Sequence, residues 1–273
     1  MDWWWSALAL ALSVALAAAL RDTLDVEPLR RMNFRGRIVP TGAGVAAVFA
    51  FVVVAAVVAV TDHPVSATTV ATGVAVLGFG AVGFFDDAVG THSARGLRGH
   101  LRAFARGQLT SGATKLVVGL ALSALVSPAF AEPAGRRVLV TIVIAGAANV
   151  ANLFDLAPAR AAKVAAIAVV AIVIGFGSRH PLHGGPGWFF AAVLGVVPFE
   201  LRERFMLGDA GANALGAVVG ITAVRACGGH GNGLLVAAAL VVLVNVAGEL
   251  VSFSAVIERT PPLRAFDRLG RGR

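Results

Sequence analysis

Cysteine is nearly absent from this chain: Cys227 is the single one in 273 residues. An intrachain disulfide is therefore excluded, and so is a cysteine-based zinc site. Charge is scarce as well. Asp, Glu, Lys and Arg make up 14% of the chain against 58% apolar residues, whereas a soluble domain carries about 25% charged residues. Short segments of alternating polarity are missing too, which argues against a transmembrane β-barrel. The six histidines are scattered. His180 and His183 share a short HPLH loop, which reads as a polar loop rather than a metal site. No low-complexity tail, internal repeat or soluble domain stands out.

What is present is a series of long apolar runs, near 3–20, 42–60, 66–85, 113–131, 137–152, 161–177, 187–199, 212–226 and 233–253. Runs of roughly 17–25 apolar residues are the signature of membrane-spanning helices. The expectation is an all-α polytopic membrane protein of about nine transmembrane helices, a single transmembrane domain over 1–273 with a basic tail at 254–273. The first run could be read as a signal peptide. However, MDWWW carries no positive residue and the arginines follow the run, so an uncleaved span with its N-terminus outside is the better reading. Trp3, Trp4 and Trp5 then anchor it at the interface. With that orientation the inside loops and tail hold 19 of the 23 Lys and Arg residues, which sets the sidedness and a cytoplasmic C-terminus. The net charge of +8 lies between spans, so it points to anionic lipid or a phosphorylated substrate and not to nucleic acid.

The inside loops carry the chemistry. The first, NFRGRIVPTGAG, offers open backbone N–H groups, the Thr41 hydroxyl, Arg35 and Arg37, and could cradle a phosphate. A plain helix-start turn with orienting arginines is the simpler reading. The second opens with GFFDD. Asp86 and Asp87 end an apolar segment, where acidic groups oppose the helix dipole and ionisable groups are costly. They could share a divalent cation, or one could bind while the other takes a proton; a polar helix stop is the alternative. The basic stretch GLRGHLRAFARG reads as a membrane-surface segment, and Lys115 opens the next span. The third loop places Asn149 and Asn152 at i, i+3 with Asp155 one turn on, which suits a polar head group or a metal–phosphate, or simply an amide-rich helix end. In the fourth, Asp209 sits between glycines at a helix start, as a metal–phosphate ligand or as an N-cap. All four patches fall on the same inner face, as a phosphoryl-transfer site requires.

PTGAG at 40–44, GFFDD at 83–87, NVANLFD at 149–155 and MLGDAGANALG at 206–216 stand in an order that resembles the polyprenyl-phosphate N-acetylhexosamine-1-phosphate transferase superfamily. The resemblance runs from about residue 35 to about residue 220. It implies transfer of a sugar-1-phosphate from a UDP-sugar to undecaprenyl phosphate at the inner leaflet of a bacterial plasma membrane, with release of UMP, in envelope polysaccharide or peptidoglycan-type biosynthesis. It implies Mg²⁺, with Mn²⁺ as a substitute, held by Asp209 together with Asp87. Asp86 and Asp87 would act on the lipid phosphate. Asn149, Asn152 and Asp155 would face the nucleotide, Thr41 would contact substrate and Lys115 would neutralise phosphate charge. A homodimer is a further expectation.

The chain also departs from the family pattern. A second Asp after Asp155 is replaced by Leu156-Ala157-Pro158, the usual Gly-Ser is Gly211-Ala212, and a late histidine-bearing loop gives way to IERTPPLRAFDRLGRGR. A non-catalytic descendant that binds polyprenyl phosphate or scaffolds envelope assembly is the competing reading. A transporter is weaker, because midplane polar residues reduce to Asn245 and Glu249, which read as a helix-packing contact.

Overall fold

A computed structural model describes residues 3–61, 65–90, 111–177, 182–228 and 231–271. The basic stretch at 96–107 and His180 lie outside them. Among the described residues, nine helices have 16 residues or more: α1 (Trp3–Ala19), α3 (Gly44–Thr61), α4 (Ala67–Val89), α5 (Ser111–Val126), α6 (Ala134–Phe154), α7 (Arg160–Phe176), α8 (Gly185–Leu201), α9 (Gly208–Ala226) and α10 (Gly231–Leu250). Short helices α2 (Arg21–Leu24), α11 (Phe253–Arg259) and α12 (Pro261–Arg268) complete the set. The protein is an all-α membrane protein. Five helices, α3, α4, α5 with its following turn, α6 and α10, are long and apolar enough to cross a bilayer. The others fall short for physical reasons: α1, α7 and α8 have 17 residues each, and α9 is built of small residues that face protein.

α9 is the central helix, buried at almost every position from Gly208 to Val224. Its glycines set how closely its neighbours approach. A Cβ on Gly220 would lie 2.8 Å from the Ile144 Cα of α6, and one on Gly216 2.6 Å from the Ala148 Cα. On α4, a Cβ at Gly83 would overlap the Asp209 carbonyl. Small residues at helix contacts let backbones meet where lipid supplies no hydrophobic drive between helices. α1 and α3 pack on α8, where Phe51 meets Phe189 edge-to-face at 5.9 Å. α10 lies at the edge against α6, with Leu235, Leu240, Leu243 and Val246 exposed.

The helix ends differ from the sequence reading where it matters. α4 continues past residue 85 to Val89, so Asp86 and Asp87 belong to its last turns. α9 starts at Gly208, so Asp209 belongs to its first turn. The segment between α2 and α3 contains a hairpin of β1 (Arg30–Met32) and β2 (Ile38–Pro40), paired Arg30 with Pro40 and Met32 with Ile38. Asn33 closes its turn, accepting at Oδ1 from the Arg35 and Arg37 N–H groups, both at 2.9 Å.

Candidate active site

The hairpin, the end of α4, the end of α6 and the start of α9 meet at one end of the bundle. Pro40 and Ala43–Gly44 run alongside Met206–Leu207: Met206 N–H donates to Pro40 O (2.8 Å), and Gly44 N–H donates to Leu207 O (2.8 Å). Gly208 has φ +73°, and a Cβ there would lie 2.5 Å from Gly42 N and 2.6 Å from Asp87 Oδ2. Glycine is thus required both by the left-handed backbone and by the space.

The two adjacent aspartates have different partners. Asp87 is buried, and its Oδ1 and Oδ2 accept from the Asp209 and Ala210 N–H groups at 3.2 Å each. It therefore caps α9 from outside that helix, supplying negative charge to unpaired N–H groups and to the positive dipole end. The Thr41 hydroxyl donates to the same carboxylate at 3.4 Å, and Arg31 donates to the Asp87 carbonyl at 2.7 Å. Asp86 faces the other way. Its Oδ2 accepts from Lys115 Nζ at 3.4 Å, and its Oδ1 is buried without a hydrogen-bond partner.

Lys115 also donates to Asp209 Oδ2, so one ammonium from α5 bridges carboxylates from α4 and α9. Asn152 completes the cluster: with its amide oxygen towards the ammonium, it accepts from Lys115 at 3.2 Å and donates to Asp209 Oδ1 at 2.6 Å. Asp155 is the C-cap residue of α6, its N–H donating to Asn152 O at 3.1 Å, and its carboxylate lies against the Gly208 backbone. Burial raises its pKa well above the usual carboxylate range, and the Glu200, Asp209 and Asp87 charges add to the rise.

The structure thus brings together Asp86, Asp87, Lys115, Asn152, Asp155 and Asp209, and it gives three other expected groups protein partners. Thr41 supports Asp87 from a buried position instead of facing substrate. Asn149 turns to α10, donating to Asn245 Oδ1 at 2.6 Å, while Asn245 donates to Gly146 O and Val241 O. The contact expected of Asn245 is therefore a helix pair, and its partner is the supposed nucleotide ligand Asn149. The phosphate cradle is closed: Ala43 and Gly44 N–H groups are used by Met206 and Leu207, and Arg35 and Arg37 pair with Glu203 at 3.2 and 3.7 Å.

Sequence reasoning missed Glu200 and Glu203. Buried Glu200 accepts from the Leu207 N–H at 3.4 Å and lies beside the Ala159 backbone, between two loops. Glu203, at φ +53°, accepts from Asn33 at 3.0 Å. Their signal was two carboxylates in PFELRER, immediately before a metal-type aspartate loop.

The family model of glycosyl transferase family 4 matches residues 69–227, more than half of the chain. This chain belongs to glycosyl transferase family 4. That is the family of polyprenyl-phosphate hexosamine-1-phosphate transferases, and membership makes the protein a glycosyl-phosphate transferase by class. No curated protein matches the chain. The glycosyl transferase family 4 match covers α4 to α9, hence every member of the acidic cluster; the hairpin and the C-terminal helices lie beyond it.

The cation that the family implies can be tested against these side chains. Asp86 and Asp209 converge on a single cation position, Asp86 Oδ1 is a buried oxygen with no partner, and Asn152 adds an amide oxygen beside them. A hard oxygen set of this kind fits Mg²⁺, which binds through one or two carboxylates and completes its shell with water and phosphate. Among the described residues no three His, Cys, Asp or Glu side chains converge as a full metal cage. Asp87, the other ligand expected, already gives one acceptor bond from each oxygen to α9.

Proposed function

We propose that this protein transfers a sugar-1-phosphate from a UDP-sugar to undecaprenyl or a similar polyprenyl phosphate at the cytoplasmic face of a bacterial inner membrane, releasing UMP, for envelope polysaccharide or peptidoglycan-type synthesis. The observation that carries the reading is the convergence of Asp86 and Asp209 on Lys115 at the mouth of the bundle, with Asn152 in contact with two of the three. The lipid phosphate oxygen attacks the sugar-bearing phosphorus. The bond from that phosphorus to the bridging oxygen breaks, and UMP leaves with the electron pair.

Asp86 and Asp209 would hold Mg²⁺, with Mn²⁺ as a substitute, which supplies charge neutralisation at the diphosphate when bound. Asp86 also accepts the proton of a monoprotonated lipid phosphate at the oxygen that lacks a partner. Lys115 stabilises charge on the phosphates. Asp87 holds the start of α9, and therefore Asp209, in place. Asn152 and Asp155 face the donor. Nine spans with the N-terminus outside put this end of the bundle in the cytoplasm, a placement favoured by the arginine bias.

The test is UMP release from membranes given Mg²⁺, undecaprenyl phosphate and a panel of UDP-sugars. Turnover with one donor, lost in Asp86→Asn and Asp209→Asn, is expected. No turnover with any donor, together with full cellular function of the double variant, leaves the non-catalytic reading. Sidedness is checked separately by labelling Arg204→Cys in a Cys227→Ser background, which should react from the cytoplasmic side.

A further inference from the structure

The C-terminal segment is docked, although a basic tail by itself predicts a solvated strand. Arg160, the first residue of α7, is buried and meets Asp267 of α12 in a two-pronged pair, Nε to Oδ1 and Nη2 to Oδ2, both at 2.8 Å. Its third arm donates to Ser254 at 2.8 Å. Lys163 donates to the Asp267 and Leu269 carbonyls, each at 2.7 Å, and so caps the end of α12. Arg271 pairs with Asp267 Oδ1 at 2.6 Å and lies over the Phe34 ring of the hairpin at 5.2 Å. Phe253 stacks on Phe154 at 4.8 Å.

These anchors surround one stretch, 152–160. On its inner side the stretch meets the acidic cluster: Asn152 donates to Asp209, while Asp155 lies against the Gly208 backbone and Ala159 against Glu200. Ala159 holds φ +58°, a left-handed backbone unusual for a residue with a side chain, so the loop needs restraint on both sides. On the outer side the restraint is the tail.

We infer that Asp267 is a positioning residue for the donor: acting through Arg160, it holds the 155–160 loop in the geometry in which Asn152 and Asp155 meet the UDP-sugar. The tail thereby does the work of clamping this loop from outside the helices that carry the cluster. The inference rests on the donor-side role proposed above for Asn152 and Asp155.

The experiment uses the full chain in lipid nanodiscs. Asp267→Ala, Asp267→Glu and wild type are compared for donor KM and kcat, for UMP affinity by calorimetry without turnover, and for hydrogen exchange of the 155–160 amides. Asp267→Ala should raise donor KM and UMP Kd about tenfold or more, change kcat less than about threefold, and speed exchange at 155–160; Asp267→Glu should recover most of each. Unchanged KM, Kd and exchange in Asp267→Ala, with a lowered melting temperature alone, overturns the inference. Should that variant fail to fold, Asp267→Asn keeps the side-chain shape but removes the charge and one prong of the pair with Arg160, and the same readouts decide. If wild type neither binds UMP nor turns over, the proposed function fails, and the exchange measurement alone decides the positioning claim.

Discussion

Asp86→Asn and Asp87→Asn are adjacent, isosteric changes that should behave differently. Asp87 gives one oxygen to each of two backbone N–H groups at 3.2 Å, from a buried position. An amide has one oxygen, so one N–H loses its acceptor and faces an NH₂ group. A hydrogen bond to a charged group contributes about 1.5–3 kcal/mol, and a buried donor left unpaired costs about 1–3 kcal/mol. Loss of negative charge at a helix N-terminus adds roughly 0.3–2 kcal/mol. These terms overlap, so a combined cost of about 3 kcal/mol is reasonable, equivalent to roughly 6–12 °C by the scaling of domains of 150–250 residues. Asp86 makes one longer contact, 3.4 Å to a lysine that keeps Asp209, and its second oxygen has no partner. Its neutralisation gives up one long contact but also relieves a buried, unpaired charged oxygen, so it should cost about 1 kcal/mol or less while lowering UMP release by at least about a hundredfold. Thermal unfolding and turnover on the same nanodisc samples check both values. A thermally silent but inactive Asp87→Asn, or an Asp86→Asn that unfolds as early as Asp87→Asn, would refute the division of labour.

Three further outcomes follow from the same geometry. Gly83→Ala places a Cβ against the Asp209 backbone, so it should move Asp209 away from Lys115; a shift of about 1 Å is enough to cost roughly a hundredfold in turnover, with an overpacking cost of about 1–3 kcal/mol in the thermal transition. Asn149→Ala should leave UMP affinity within about twofold, and a double-mutant cycle with Asn245→Ala should show a coupling of about 0.6–1.7 kcal/mol in thermal stability, as for interhelical hydrogen bonds in membranes. Asp267 has a depressed pKa: burial raises it, but the Arg160 and Arg271 contacts outweigh that. A depressed acid contributes stability above its unfolded value near 4, and the contribution disappears as pH falls through the folded value. Tail docking, followed by hydrogen exchange of residues 253–271, should therefore hold from neutral pH to about 4 and loosen below it.

The sequence alone determined that this is a helical membrane protein, and it singled out the acidic loops at one set of helix ends as the candidate site. Long apolar runs leave no other economical fold in lipid, and costly carboxylates at their ends mark a site. The motifs of 83–87, 149–155 and 206–216 were also legible as one family pattern. What the sequence did not decide is which member of each motif faces the chemistry. Successive helical residues point about 100° apart, and residues three apart still differ by about 60°. So Asp86 meets Lys115 while Asp87 caps α9, and Asn152 meets Asp209 while Asn149 meets Asn245. Spacing places such pairs on one side of a helix; the packing of α4, α5, α6, α9 and α10 selects the partner of each. The docking of the tail belongs to the tertiary structure for the same reason. Arg160 and Asp267 are 107 residues apart, and nothing local in a basic segment signals that one of its acids closes on a distant helix start.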